Sequence, residues 1–347
     1  MKRHFSLFLT FAMAGALLLS ACGNTSTAAP ETSASPESSP IASEVVATPE
    51  PSPDILAQAA TIQHDPDNYT DIVRAVSYLE DDLDYHKVDL YGTSNEEVLP
   101  VVIEVHGGAF IGGSRETNTN HSIFFAERGY KVVATDYPGI PRDGNFTDAI
   151  QDLFTSYQWV ADHADEYGFD MSNVILSGDS AGGYYVLLTC AIFHSEELQE
   201  YFGVTLPDFE FQGFVTTCPV ANIRAMQEYL ESEEGVLGHA AQKIGADILL
   251  DEELMSHLDL MQSVEPQAFE GVYMLTTPDD AVTGEDVQVF DRYLTENNVP
   301  HVTVSYDSVE NNLAHTFNIG HTGLAKLFTK TNDNSLNSVS EMYHKQQ

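Results

Sequence analysis

Residues Gly178-Asp179-Ser180-Ala181-Gly182 follow the apolar run Val174-Ile175-Leu176-Ser177 and precede a helix-like run from Tyr184 to Phe193. The pattern requires a strand, a sharp turn and a helix in direct succession. So tight a turn leaves almost no room for side chains on either side of Ser180. Its strained backbone lifts the serine oxygen out of the sheet, where a base can reach it. A bare G-x-S-x-G is a weak signal, because an ordinary turn between a strand and a helix also uses glycine. The flanking strand and helix make this one a nucleophile elbow.

A nucleophilic serine needs donors for the charge that develops on the attacked oxygen. Upstream, Pro100-Val101-Val102-Ile103-Glu104-Val105 reads as a buried strand. It runs into His106-Gly107-Gly108-Ala109-Phe110. Glycines let backbone N–H groups point into a cavity rather than into a ladder, where they meet the negative oxygen of a tetrahedral intermediate. The expected donors are Gly107, Gly108 and Ala109 from this loop and Ala181 from the elbow.

Together these pieces resemble the α/β-hydrolase fold, and within it the hormone-sensitive-lipase-like and feruloyl-esterase-like (BD-FAE) carboxylesterases. The resemblance is carried by Val88-Asp89-Leu90-Tyr91, by His106-Gly107-Gly108-Ala109-Phe110, by Val132-Val133-Ala134-Thr135-Asp136-Tyr137 and by Gly178-Asp179-Ser180-Ala181-Gly182-Gly183. It runs from about Arg74 to at least Phe317. Ala109 stands where many members carry a third glycine, and Pro138-Gly139-Ile140 replaces their arginine-containing turn. The resemblance implies a mostly parallel central sheet, helices on both faces and a small cap insertion at about 220–270.

It also implies the order serine, acid, histidine. Phe211 to Thr217 reads as a strand ending at Cys218-Pro219, and Gly271 to Thr276 as another ending in Thr277-Pro278-Asp279-Asp280. Catalytic groups in such sheets sit at the carboxyl ends of the strands. Asp279 and Asp280 both qualify as the acid that orients the histidine. Asp280, followed by Ala281-Val282, matches the family register. A last strand, His301 to Tyr306, leads to Ala314-His315-Thr316-Phe317. His315 is the expected base, with His321 as the alternative.

Lys2 and Arg3 precede an apolar run from Phe5 to Leu19 that is short for a membrane span, which needs about twenty residues. It ends in Leu19-Ser20-Ala21-Cys22, which resembles a bacterial lipoprotein box. Residues 1–21 are then a signal peptide, and Cys22 becomes a lipidated (diacylglycerol and palmitate-type) N-terminus that anchors the protein outside the cytoplasm. Residues 22–54 hold that cysteine and a tether of Ser, Thr, Ala, Glu and Pro, too poor in large apolar residues to build a core. A tether of this length spans roughly 30 Å as a flexible coil and about 95 Å as polyproline. Residues 55–347 are left for one hydrolase domain.

Cys190 and Cys218 are expected as buried free thiols, with no disulfide required. No spacing of Cys, His, Asp and Glu reads as a metal site, so neither a metal nor a cofactor is expected. The net charge of −39 disfavours nucleic acid and direct docking on anionic lipid. Between Val220 and Glu270, eleven acids face two bases. The resulting expectation is a membrane-tethered serine ester hydrolase for short acyl or aryl esters, including acetyl or feruloyl groups on polysaccharide. A peptidase on the same fold and a non-catalytic binding protein are the alternatives.

Overall fold

The computed structural model describes residues 65–231, 252–277, 280–306, 313 and 315–320. The expected signal peptide, Cys22 and the tether lie outside them. Among the described residues eight strands form one sheet: β1 (Ile72–Ser77), β2 (Lys87–Tyr91), β3 (Leu99–Val105), β4 (Lys131–Thr135), β5 (Phe169–Asp179), β6 (Phe211–Thr217), β7 (Val272–Thr276) and β8 (Val302–Ser305). Their spatial order is β1-β2-β4-β3-β5-β6-β7-β8. β2 pairs antiparallel with β1 and with β4, and every other pairing is parallel. The sheet is that of an α/β hydrolase.

Parallel strands are buried on both faces and read as continuous apolar runs. In β3 the two-residue period sends Val101, Ile103 and Val105 into one apolar cluster and Val102 into another. In β5, Val174 and Leu176 join the first cluster and Ile175 the second. Each face therefore needs its own cover. The helices are α1 (Thr119–Ala126), α2 (Phe146–Asp162), α3 (Ala164–Tyr167), α4 (Ser180–Phe193), α5 (Glu196–Phe202), α6 (Ile223–Glu231), α7 (Glu252–Leu258), α8 (Gly284–Glu296) and α9 (Phe317–Gly320). α4 is buried almost throughout and packs on β5 and β6, as its uniformly apolar sequence demands. α2 starts at a capping box in which Asn145 accepts from the Asp148 N–H and Asp148 accepts from the Asn145 N–H.

The insertion between β6 and β7 contributes α6 and α7, and residues 232–251 of it lie outside the described set. Arg224 ties the two helices together: its Nε donates to Asp259 at 2.7 Å and its Nη2 to Glu252 at 3.0 Å. Met226, Met255 and Leu258 pack into the main core. The Tyr184 hydroxyl of α4 donates to the Leu258 carbonyl at 2.6 Å. These apolar positions hold the insertion down onto the domain.

Candidate active site

β5 ends at Asp179, in extended backbone, and α4 begins at Ser180 itself. The helix thus starts four residues earlier than its apolar run suggests. Ser180 sits at φ 51°, a left-handed conformation that a serine adopts only when its surroundings impose it. The constraint is visible at Gly182, where a Cβ would lie 2.1 Å from the Val105 carbonyl oxygen and 2.5 Å from that of His106. No side chain fits there. The end of β3 and the elbow are pressed backbone to backbone.

The turn after β7 brings in Asp280, and the turn after β8 brings in His315. His315 Nε2 lies 2.9 Å from Ser180 Oγ, and its Nδ1 lies 2.8 Å from Asp280 Oδ2. The three expected side chains are therefore together, in the orientation that a proton relay requires. Asp279 and His321, the alternatives, lie outside the described residues. Burial works against charge on Asp280. The hydrogen bond and charge of His315, the Val282 N–H and the Thr283 hydroxyl outweigh it and hold the carboxyl down at about 2. Val282 N–H donates to Oδ1 at 2.8 Å and Thr283 N–H at 3.2 Å. The Thr283 hydroxyl stands between Asp280 Oδ2 at 2.8 Å and the Cys218 carbonyl at 3.0 Å.

The oxyanion loop corrects one expectation. The Gly107 N–H donates inward to Asp179 Oδ1 at 2.9 Å, so it is committed to a buried carboxylate and does not face an oxyanion. Gly108 (φ 137°), Ala109 (φ 54°) and Phe110 (φ 65°) turn the chain sharply after it. The N–H groups of Gly108 and Ala109 have no partner among the described residues. Ala181 is in the first turn of α4, where no intrahelical acceptor exists. The available donors are therefore Gly108, Ala109 and Ala181.

A polar layer beneath the loop escaped the sequence reading. Asn118 Nδ2 donates to Asp179 Oδ1 at 2.8 Å and to Glu104 Oε2 at 3.2 Å. His121 Nδ1 lies 2.9 Å from Glu104 Oε1. Burial, and then the Glu104 charge, push the Asp179 carboxyl up despite the bonds from Asn118 and Gly107. Burial also opposes charge on Glu104, but His121, Ser177 and Asn118 win and hold it below the usual range. The only signal in the sequence was an acid inside an apolar strand. Cys190 and Cys218 are both free and buried, as expected.

Residues 88–272, more than half of the chain, match the family model BD-FAE. The chain belongs to the BD-FAE family. Among curated proteins it is 39% identical over 80 residues to Lipase 2 of a Moraxella species, an alignment covering 22% of this chain and 18% of that protein. It is 32% identical over 108 residues to an isoprenylcysteine alpha-carbonyl methylesterase of Arabidopsis thaliana, covering 31% of this chain and 25% of that one. The chain thus spans about a fifth to a quarter of the length of these relatives. Among solved structures, esterase B of Lactobacillus rhamnosus superposes with a TM-score of 0.70 at 26% identity, covering 84% of this chain and 91% of that one. An esterase of the archaeon Pyrobaculum calidifontis shares the fold, with a TM-score of 0.58 at 20% identity.

Proposed function

We propose that this BD-FAE protein hydrolyses carboxylic esters of short acyl or aryl acids through an acyl-enzyme on Ser180. One observation carries the reading: a single imidazole, His315, spans Ser180 Oγ at 2.9 Å and Asp280 Oδ2 at 2.8 Å. Ser180 Oγ attacks the ester carbonyl while His315 Nε2 takes its proton. The N–H groups of Gly108, Ala109 and Ala181 receive the oxyanion. His315 then returns the proton to the leaving alcohol and activates water for deacylation. Asp280 holds the Nδ1–H tautomer and stabilises the imidazolium.

Names of relatives support the ester class. Esterase B has also been solved carrying a tributyrin-derived C4 phosphonate, which favours a short acyl group for this chain too. Acetyl or feruloyl esters of polysaccharide are the natural substrates we infer, from the family resemblance and from the proposed surface address. The address is a lipid anchor at Cys22, held off by the 22–54 tether. No helix among the described residues is long and apolar enough to cross a membrane.

The test is Ser180→Ala against a panel of acyl esters of increasing length, amides and peptides. Loss of turnover on the order of 10⁵–10⁶ in a folded variant is expected, as for groups that act as a unit. Retention above about one per cent of wild-type turnover would refute the assignment. Mass spectrometry of the membrane fraction should find a lipid-modified Cys22 at the N-terminus. An unmodified N-terminus would remove the anchor and leave the hydrolase reading intact.

A further inference from the structure

Cys218 follows β6, Asp280 follows β7 and His315 follows β8. Each offers one donor atom (a thiol, a carboxylate oxygen, an imidazole nitrogen), and the three atoms all lie within 4.8 Å of one another. Ester hydrolysis uses the carboxylate and the imidazole but has no task for the sulfur. Cys218 is wholly buried and unpaired with any other cysteine. A mixed sulfur, nitrogen and oxygen set suits a borderline-soft divalent cation such as zinc, and suits calcium or magnesium poorly. Tetrahedral zinc holds sulfur at about 2.3 Å and nitrogen or oxygen at about 2.0–2.2 Å, so bound donors stand roughly 3.3–3.6 Å apart. The His315 Nδ1–Asp280 Oδ2 pair, at 2.8 Å, opens to that by roughly 0.5 Å, and pairs as wide as the 4.8 Å limit close to it with side-chain shifts of about 1 Å or less on each partner.

We propose that Cys218, Asp280 and His315 form a binding site for Zn²⁺ or a cation of like softness, and that filling it switches the enzyme off. The ion takes the lone pair of His315 Nδ1, an oxygen of Asp280 and the sulfur of Cys218. The thiol proton leaves to solvent. The imidazole stays neutral, its proton moving from Nδ1 to Nε2. One proton is released per ion bound, and no oxidant or reductant takes part. Nε2–H then donates toward Ser180 Oγ and cannot accept the serine proton, so the nucleophile is left inactive. A water completes the fourth position.

The surroundings favour such a complex. Thiolate and carboxylate neutralise the ion, and a chain of net charge −39 gathers cations around it. Val282 and Thr283 already orient Asp280, as outer partners of a metal ligand do. A quarter of the His315 side chain is exposed while that of Asp280 is closed off, so the ion enters by way of the imidazole.

The inhibitory half of this proposal rests on the hydrolase reading, and the ion-binding half does not. The untagged full chain is titrated with Co²⁺, whose thiolate complex has a charge-transfer band in the near ultraviolet, and then with Zn²⁺ to displace it. Proton release is followed in weak buffer, and ester hydrolysis in parallel. The expected result is one cobalt–thiolate site, one proton released per ion, and Zn²⁺ inhibition that a chelator reverses. Cys218→Ala and Cys218→Ser should lose the band. Measured against its own metal-free rate, each should need more Zn²⁺ for half-inhibition, by a factor above the ~10–100 typical of losing an outer partner. Ser180→Ala should keep the band. If the Cys218 variants do not fold, Asp280→Asn provides the second arm and should weaken cobalt binding. Absence of the band from the folded wild type, or unchanged Zn²⁺ sensitivity in the Cys218 variants, overturns the site. A Cys218-dependent band in a chain that hydrolyses no ester upholds the site and removes the hydrolase reading instead.

Discussion

Asp179 adjoins Ser180, the proposed nucleophile, and its carboxylate accepts from the Gly107 N–H at 2.9 Å and from Asn118 at 2.8 Å. Replacing it with alanine deletes the acceptor that fixes Gly107, one residue ahead of Gly108 and Ala109, the proposed oxyanion donors. Loss of a single oxyanion donor lowers kcat by about 10²–10³. Here the donors are displaced rather than deleted, so the expected fall is about 10²-fold, with KM within about threefold because ground-state binding is not touched. Asp179→Asn keeps a carbonyl oxygen for Gly107 and should stay within about tenfold of wild type. Stability should move the other way. Burial, then Glu104, raise the Asp179 carboxyl above its ordinary value of 3.8. The folded state therefore favours the protonated form, and the stability linked to it is lost as pH rises through the raised value. Asp179→Asn removes that loss, so its Tm relative to wild type should climb as pH rises above about 4. The assay is kcat and KM on a neutral short ester, with Tm measured across pH. An Asp179→Ala enzyme within threefold of wild type, or a loss lying wholly in KM, refutes the positioning argument.

Asp280→Asn should lower kcat by about 10⁴, because an amide favours the wrong tautomer and cannot stabilise the imidazolium. Since the folded carboxyl is held at about 2, its stabilising contribution is present above its ordinary range and is lost as pH falls toward that value. A Tm–pH curve should therefore lose part of its acid limb in this variant, and an unchanged limb counts against the ion pair. Asp286 is the opposite case, pushed up to about 7 by burial and then by Glu285 and Asp280. Its contribution is full below the ordinary carboxylate range and lost as pH rises through that value, so Asp286→Asn should gain Tm over wild type at about pH 8 and not at about pH 4. Equal gains at both would show that charge is not the cause. The acids between Val220 and Glu270 should slow anionic esters relative to neutral ones of equal acyl size. Raising salt from about 0.01 to 1 M should narrow the gap as the screening length falls from roughly 30 to 3 Å. A salt-independent ratio of kcat/KM would place that charge away from the mouth.

Where local pattern decides structure, the sequence was legible. β6 occupies Phe211–Thr217, the full span of its apolar run. The elbow could be read because its glycines answer to backbone contacts within a few residues and to one neighbouring strand. Ser180 could be named from the elbow, and strand order carries the acid and the histidine to the carboxyl ends of the same strands, but the choice of Asp280 over Asp279 came from the family register. β1 was missed, since most of its side chains are exposed or half-exposed and leave no hydrophobic period. Gly107 was misassigned for a different reason. Its N–H is captured by a side chain 72 residues away, and no spacing rule reports a partner at that distance. Asn118 and His121 were invisible on the same ground, as each finds its partners only on other strands or helices.

The backbone contact at Gly182 separates what this fold can vary from what it cannot. With 2.1 Å between a would-be Cβ and the Val105 oxygen, nucleophile and oxyanion donors behave as one casting. Neither can be retuned without recasting the other, so reactivity is closed to gradual change. Beyond Val220, whose N–H donates to the Ser180 carbonyl at 3.0 Å, the described part of the segment between β6 and β7 is fastened by side chains such as Tyr184, Arg224 and Met226. New substrate preferences can be grafted there by exchanging the segment whole, with the chemistry beneath it carried along unaltered.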